Sequence, residues 1–535
     1  MAQFDEYRKP IIDHLYQTKL QHWDPTIRAL TSQSLKHLTH LDTEYFGSTV
    51  IPYLLLNSVD VRDLNLRHGC VIGLAEIILA YDDLKPGKRD FNGLLTDDAL
   101  FAIAGLVPVI EKKRLYRGKG GEQMRSAVCR LIECISITEI PLNVPQQVCR
   151  RSFAARSLTG SYKSTRFSLQ VMLLDTIDSS IPHPSEEIQE QAGKALSALM
   201  KTYFPVGPKG PSDRLQKRVV DKYVCQVSTS INPAVTRGFS LALGYLPAKL
   251  LAPTSRVLDL SLTALISASR SDATVGSDKD AETRRNALIA LSRILQAVGL
   301  SRVSVDTECI VSVSAKQYRN VLKALLMALM DYNVDRRGDV GSWCRIAAMH
   351  GLEALAVMAS TKTERREEYF DGDACKQIIG GLLKQLSEKL DVVRTHAGNC
   401  LQRVLTQTNP QIPHLQQREQ LLDCFDLTNT GTIQQPSINW ADPSVTFPMV
   451  MKAATIDEYF NFVIAGLVLS VGSLTESVSK HASKVLLQWV KDANTDAKLD
   501  NLANGGLRRI IVCLGFVFAC RKCGLTEFSS IPWFV

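Results

Sequence analysis

Residues 339–359, DVGSWCRIAAMHGLEALAVMA, hold the pattern that decides the fold. A polar turn containing Asp339 leads through Gly341 and Ser342 to Arg345. Ile346, Met349, Leu352, Leu355 and Ala356 then follow at three- and four-residue steps. That period puts the apolar side chains on one face of a helix. Asp and Ser in the turn supply oxygens for the free N–H groups of the first helical turn. Ala347 and Ala348 are small enough to let a neighbouring helix come close.

The same unit recurs to either side. Asp24-Pro25-Thr26-Ile27-Arg28 is followed by Ala29, Leu30, Leu35 and Leu38, and a turn near Asp60 and Asp63 leads to Arg67. GGEQMRSAVCRLIECIS repeats the idea around Arg125, and SEEIQEQAGKALSAL carries Gln189 where the others have Arg. Asn232–Arg237, Asp280–Arg285, Leu390–Arg394 and Thr475–Lys480 open further copies, and Leu-rich runs supply the first helix of each pair. Arg28 to Arg67 is 39 residues, Arg237 to Arg285 is 48, and Arg345 to Arg394 is 49. These fall near the ~40–47 residues of a HEAT or armadillo repeat. The gap of 60 from Arg285 to Arg345 predicts inserted loops.

A helix pair cannot bury its apolar face alone, whereas stacked pairs share one continuous core. The expected fold is therefore all-α, a HEAT/armadillo-type helical-repeat solenoid, and no alternating strand pattern recurs. The repeated Arg is expected to hydrogen-bond an adjacent turn and link one repeat to the next. Helical repeats are expected over 1–405 and 449–525. Residues 406–448, with Pro410, Pro413, Pro436, Pro443 and Pro448, form a loop or linker between them, and 526–535 a tail. Pro86–Asp97, Phe204–Ser212 and Ser267–Asp280 are shorter interruptions.

The chain has 535 residues, more than one core usually serves. Its 45% hydrophobic and 22% charged content is ordinary for folded proteins, and its 7% aromatic content suits helices rich in Leu and Ala. The net charge of +8 favours an acidic partner. No basic block interleaved with aromatics is present, so nucleic acid is not an expected partner. The N-terminus MAQFDEYRKP lacks the layout of a secretory signal. The apolar runs Phe462–Val471 and Ile510–Cys520 fall short of the ~20 residues of a spanning helix, so no transmembrane segment is expected. The 13 scattered Cys read as buried thiols in a reducing compartment, not as a disulfide framework.

Patterns that carry chemistry are weak. Cys520 and Cys523 form a single CxxC without a second pair, which leaves a metal protein centred on the Cys-containing tail as a minor alternative. Asp426–Ile433 resembles the start of a calcium loop, but the twelfth position is Ser437 where a bidentate Glu is needed. Arg117–Gly121 lacks phosphate-loop spacing, and no nucleophile elbow, zinc helix or kinase signature occurs. Arg337-Gly338-Asp339 matches an adhesion tripeptide by letter only. The 10 His are read as standing apart from acids at ligand spacing. No catalytic, cofactor-binding or metal site is expected, and no cofactor.

Five segments carry a more specific signal. RHGCVIGLAEII from Arg67, EQMRSAVCRLIE from Glu122, YFPVGPKGPSDRLQKRVVDKYV from Tyr203, NPAVTRGFSLALGYLP from Asn232 and RRGDVGSWCRIAAMHGLEAL from Arg336 resemble the tubulin-folding cofactor D family. The resemblance runs from roughly residue 20 to residue 490. It implies a chaperone without a catalytic site of its own, one that accepts β-tubulin and joins an Arf-like small GTPase. With cofactors C and E, such a protein assembles and disassembles αβ-tubulin heterodimers and stimulates GTP hydrolysis by tubulin. It implies the cytoplasm and cytoskeleton as location, with the centrosome or cell junctions as further places. Family chains are about twice this long, so the sequence corresponds to a C-terminal half or a shortened form. Periodicity alone fits a generic HEAT-repeat adaptor for another cytosolic complex equally well.

Contacts are expected from inter-helix loops and the concave face of the repeats. The candidates are Lys209 in Phe204–Ser212, Asn232, Thr236 and Arg237 in the next loop, and Arg336, Arg337 and Asp339 in Asp335–Asp339.

Overall fold

The computed structural model describes residues 1–492 except 61, 86, 88–90, 92, 117–119, 143–168, 208–209, 271–279, 301–310, 362–365 and 428–437. Two compact units form, the first from Met1 to Ala268 and the second from Ser269 onward, with Val311 counted to the first.

The principal helices of the first unit are α1 (Asp5–Gln17), α2 (Pro25–Thr39), α3 (Ile51–Asn57), α4 (Leu64–Leu84), α5 (Asp97–Lys112), α6 (Gly121–Ile137), α7 (Leu169–Ser180), α8 (Glu186–Tyr203), α9 (Lys222–Thr229), α10 (Pro233–Leu243) and α11 (Ser255–Ser269). The second helices of successive pairs make one layer, α2 against α4, α4 against α6, α6 against α8 and α8 against α10. Helix α4 lies inside this stack, with Cys70, Val71, Leu74, Ile77, Ile78 and Tyr81 all fully buried. Among the described residues α4 is the one helix long and apolar enough to cross a membrane, and 67% of its apolar window is buried within the unit. Gly69 explains how the layers come so close. A Cβ there would stand 1.7 Å from the Leu20 carbonyl oxygen, so only glycine fits.

The second unit contains α12 (Ala281–Val298), α13 (Ala315–Ala328), α14 (Gly341–Ser360), α15 (Gly372–Leu386), α16 (Asp391–Thr406), α17 (Arg418–Cys424), α18 (Pro443–Ala453), α19 (Asp457–Val471) and α20 (Glu476–Asp492). Here α12 packs on α14, α14 on α16 and α18 on α20, while the first helices α15 and α19 pack together. A two-residue antiparallel hairpin, β1 (Val334–Asp335) and β2 (Gly338–Asp339), sits between α13 and α14. It accounts for part of the long gap before Arg345. Each unit is thus a helical-repeat stack, as the sequence period requires.

The polar turns cap the helices as expected. Asp24 accepts from Thr26 N–H at 2.8 Å, Asp63 from Asn65 N–H at 2.8 Å, Asn232 from Ala234 N–H at 3.0 Å and Asp280 from Thr283 N–H at 3.2 Å. The segment 406–448 is less loop-like than its prolines imply. It contains α17, and Pro443 is the first residue of α18, where its missing N–H costs no helical hydrogen bond. The tail 526–535, the Cys520/Cys523 pair, Arg117–Lys119 and most of the calcium-like loop lie outside the described residues.

The repeated Arg is buried and joins repeats. Arg28, with no exposed surface, donates to the His22 and Trp23 carbonyls of its own turn, to Asn65 and His68 of the next repeat, and to Gln123 of the one after. Gln189 takes the same place in its repeat, donating to the His183 carbonyl at 2.6 Å and to the Ala234 carbonyl at 3.4 Å. Two positions read from the sequence shift. In α12 the buried member of the pair is Arg284, which binds Asp331 at 2.9 Å, while Arg285 stands half-exposed. Arg125 is also half-exposed and lies over the Tyr116 ring at 4.9 Å.

Candidate functional site

The loop candidates fall into two groups. Asn232 stands immediately before α10, whereas Thr236 and Arg237, expected in a loop, lie within the first turns of that helix. Asn232 caps that helix, and the Thr236 hydroxyl donates to the Ser230 and Asn232 carbonyls at 3.3 Å each. Arg237 is half-buried, and Ile231 beside it is 98% exposed. Lys209 lies outside the described residues.

Arg336, Arg337 and Asp339 share the hairpin before α14. Arg336 is exposed at its tip. Arg337 pairs with Asp335 at 2.7 Å and with Glu282 at 2.5 Å, and its guanidinium lies 5.0 Å over the Trp343 ring. Asp339 faces inward, holding Arg345 at 3.0 Å and capping the Ser342 N–H at 3.1 Å. Burial pulls the Arg345 guanidinium down, but hydrogen bonding to Asp339 together with the charges of Glu388 and Asp339 outweighs this and holds it above its usual value. Asp339 therefore positions the hairpin, and Arg336 with exposed Val334 forms its outer surface.

Beyond Trp343, a groove of about 350 Å³ runs along α12 and α14. Arg285, Ile289 and Arg293 line one side, and Trp343, Ile346 and His350 the other. Apolar walls carrying cationic groups suit a chain segment with both apolar and acidic side chains.

At the His350 end a second cluster appears, formed by α14 and α16. His350 and Glu353 lie one turn apart on α14, and His396 and Cys400 one turn apart on α16. His350 Nε2 is 2.9 Å from His396 Nδ1, and His350 Nδ1 is 3.5 Å from Cys400 Sγ and 3.8 Å from Glu353 Oε2. The Arg403 guanidinium binds Glu353 through both Nε and a terminal nitrogen, the latter at 2.7 Å, and also lies 3.5 Å from Cys400 Sγ. Burial pushes the Glu353 carboxyl up, but hydrogen bonds from Arg403 and His350 outweigh it and bring its pKa down to about 2. Burial, with Glu353 nearby, raises the Cys400 thiol well above its usual range.

The expectation that the histidines stand apart from acids does not hold here. His350 and Glu353 were visible as an i, i+3 pair. Cys400 is 50 residues from His350 and reaches it only because repeats stack.

Stacked helix pairs with a buried linking side chain define a helical-repeat scaffold protein. Comparisons with known proteins narrow the class. Residues 376–509 match the family described as tubulin folding cofactor D C terminal. The chain is 23% identical over 563 residues to tubulin-specific chaperone D of Dictyostelium discoideum, an alignment covering 92% of this chain and 37% of that protein. The chain is thus similar to tubulin-specific chaperone D, and it spans well under half the length of that relative. Among solved structures, Kap121p matches with a TM-score of 0.37 and 13% identity, over 96% of this chain and 50% of that one. A chain from work on the interaction between cadherin and beta-catenin matches at 0.22 and 13%, over 90% and 99%. Both superpositions are loose.

Proposed function

We propose that this chain is a tubulin chaperone module that binds β-tubulin without bond chemistry of its own. The observation that carries the reading is the continuous sequence likeness to a tubulin-specific chaperone across 92% of the chain. In this reading the module works with an Arf-like small GTPase and with cofactors C and E. Together they assemble and disassemble αβ-tubulin heterodimers and stimulate GTP hydrolysis by tubulin, in the cytoplasm and at the cytoskeleton. The physical task of such a module is to stabilise an assembly-competent β-tubulin and release it to the next partner, which asks for differential affinity between states.

Several features support it. The net charge of +8 suits an acidic client. The turns before α10 and α14 pair exposed apolar groups, Ile231 and Val334, with the polar candidates Asn232 and Arg336. The groove along α12 and α14 adds a cationic, partly apolar surface.

Co-purification of the 535-residue chain with native tubulin and with the Arf-like GTPase, at low and moderate salt, tests the reading. Stoichiometric recovery of β-tubulin, weakened several-fold by Arg336→Glu at low salt, is expected. Recovery of the GTPase or of cofactors C and E without tubulin moves the client contact to chain outside this one. Recovery of none, from a helical and folded sample, favours the adaptor reading.

A further inference from the structure

We propose that His350, Glu353 and Cys400 form a binding site for one divalent cation of the zinc class, with His396 as a positioning residue. The three groups offer a ring nitrogen, a carboxylate oxygen and a sulfur, and their ligand atoms all lie within 4.8 Å of one another. Zinc takes nitrogen and carboxylate oxygen at ~2.0–2.2 Å and sulfur at ~2.3 Å in a tetrahedron, which separates N from S by roughly 3.5 Å and N from O by roughly 3.3 Å. The observed Nδ1–Sγ separation is 3.5 Å and the Nδ1–Oε2 separation 3.8 Å. Measured from His350, the sulfur already stands at ligand spacing and the carboxylate needs to close by about half an ångström, while the carboxylate–sulfur edge is within 4.8 Å.

The other ring nitrogen of His350 points in the same direction. A metal-bound imidazole donates its remaining N–H to an acceptor, which fixes its tautomer and orientation. His350 Nε2 faces His396 Nδ1 at 2.9 Å, so His396 fills that role when His350 binds through Nδ1.

A cation is already held beside the Glu353 carboxylate and the Cys400 thiol. Arg403 reaches both Glu353 oxygens and approaches the Cys400 sulfur. Its side chain is 51% exposed, so it can swing into solvent and yield its place to an ion that gains His350 as a third ligand. The mixed N, O and S donor set selects zinc-like ions over calcium or magnesium, and three protein ligands leave the fourth position to water. Binding forms an S–metal bond and breaks the Cys400 S–H bond, releasing one proton to solvent.

The test adds Co²⁺ to the whole chain carrying Cys520→Ser, Cys523→Ser and Cys225→Ser, which removes the CxxC pair and the thiol that is exposed among the described residues, and follows cobalt–thiolate absorption. One equivalent is expected, displaced by zinc. The absorption disappears in Cys400→Ser, and binding falls at least tenfold in His350→Ala. His396→Ala weakens binding by roughly 10–100-fold while the thiolate absorption persists at saturation. Arg403→Ala tightens binding, because a competing cation is gone. Absorption that survives both Cys400→Ser and His350→Ala overturns the proposal, as does cobalt bound without thiolate absorption or no binding at one equivalent. The exposed ring of His350 keeps the test decisive should Cys400→Ser fail to fold, with helical content read by circular dichroism. Failure here leaves tubulin recovery untouched, since no client is present.

Discussion

The first and second units place a buried donor under the turn of several helix pairs, but they surround it differently. Around Arg28 the acceptors are neutral, namely the His22 and Trp23 carbonyls, the Asn65 and Gln123 amides, and the His68 ring. Burial accordingly lowers the Arg28 pKa, against the more distant pull of Asp24 and Asp63. In the second unit, Arg284 meets Asp331 and Arg345 meets Asp339, and both guanidinium groups are held above their usual value despite burial. Arg394 returns to the neutral pattern, bound to the Glu388 and Lys389 carbonyls and to that of Ala441.

The difference separates what the position requires from what it tolerates. It requires N–H donors that reach the turn and the next repeat. A charge is not required, since Gln189 serves in a setting of carbonyls. Where a carboxylate has entered, the charge becomes obligatory, because removing it leaves a buried anion.

The sharpest way to break the comparison is Arg284→Gln. It strands Asp331, whose side chain is only 5% exposed, and is expected to cost about 3–5 kcal/mol. Because opening can be local, hydrogen exchange of α12 and α14 under urea is the measurement of choice.

Acid probes the first unit. Burial, then the charge of Arg28, brings the His68 pKa down to about 4 from an ordinary value of 6.5. Between these values the unfolded chain binds more protons than the folded one. Stability therefore falls as pH drops from about 6.5 to about 4, by at most about 3 kcal/mol, and levels off below. Urea midpoints over that range, read on α2 and α4, should slope in the parent chain and flatten in His68→Gln, whose amide oxygen can still accept from Arg28.

The smallest effect is expected of Arg28→Gln, about 1–3 kcal/mol, since the acceptors it leaves are neutral. A loss equal to that of Arg284→Gln, measured in the same way, would erase the distinction between the two units.

Much of this was legible in the sequence. The three- and four-residue period gave the helices, and Asp24, Asp63, Asn232 and Asp280 were readable as caps because an oxygen before an apolar run has few other uses. The linking Arg was readable as a class but not always as a residue. Arg284 and Arg285 are adjacent, and only the direction of each side chain on α12 decides which is buried. Asn232 and the hairpin residues Arg336 and Arg337 do lie between helices, but Thr236 and Arg237 fall inside α10 and Asp339 turns inward to Arg345, a role no local pattern distinguishes from surface exposure.

The sequence by itself determined the helical repeat, its approximate period and its likeness to a tubulin chaperone, because periodicity and extended similarity are local properties of the chain. Tertiary structure alone decided which donor carries a buried charge, which carboxylate meets it, and that His350, Glu353 and Cys400 converge. Those outcomes depend on how one repeat registers against the next, and contacts between groups about 50 residues apart are fixed by packing rather than by any run of neighbouring residues.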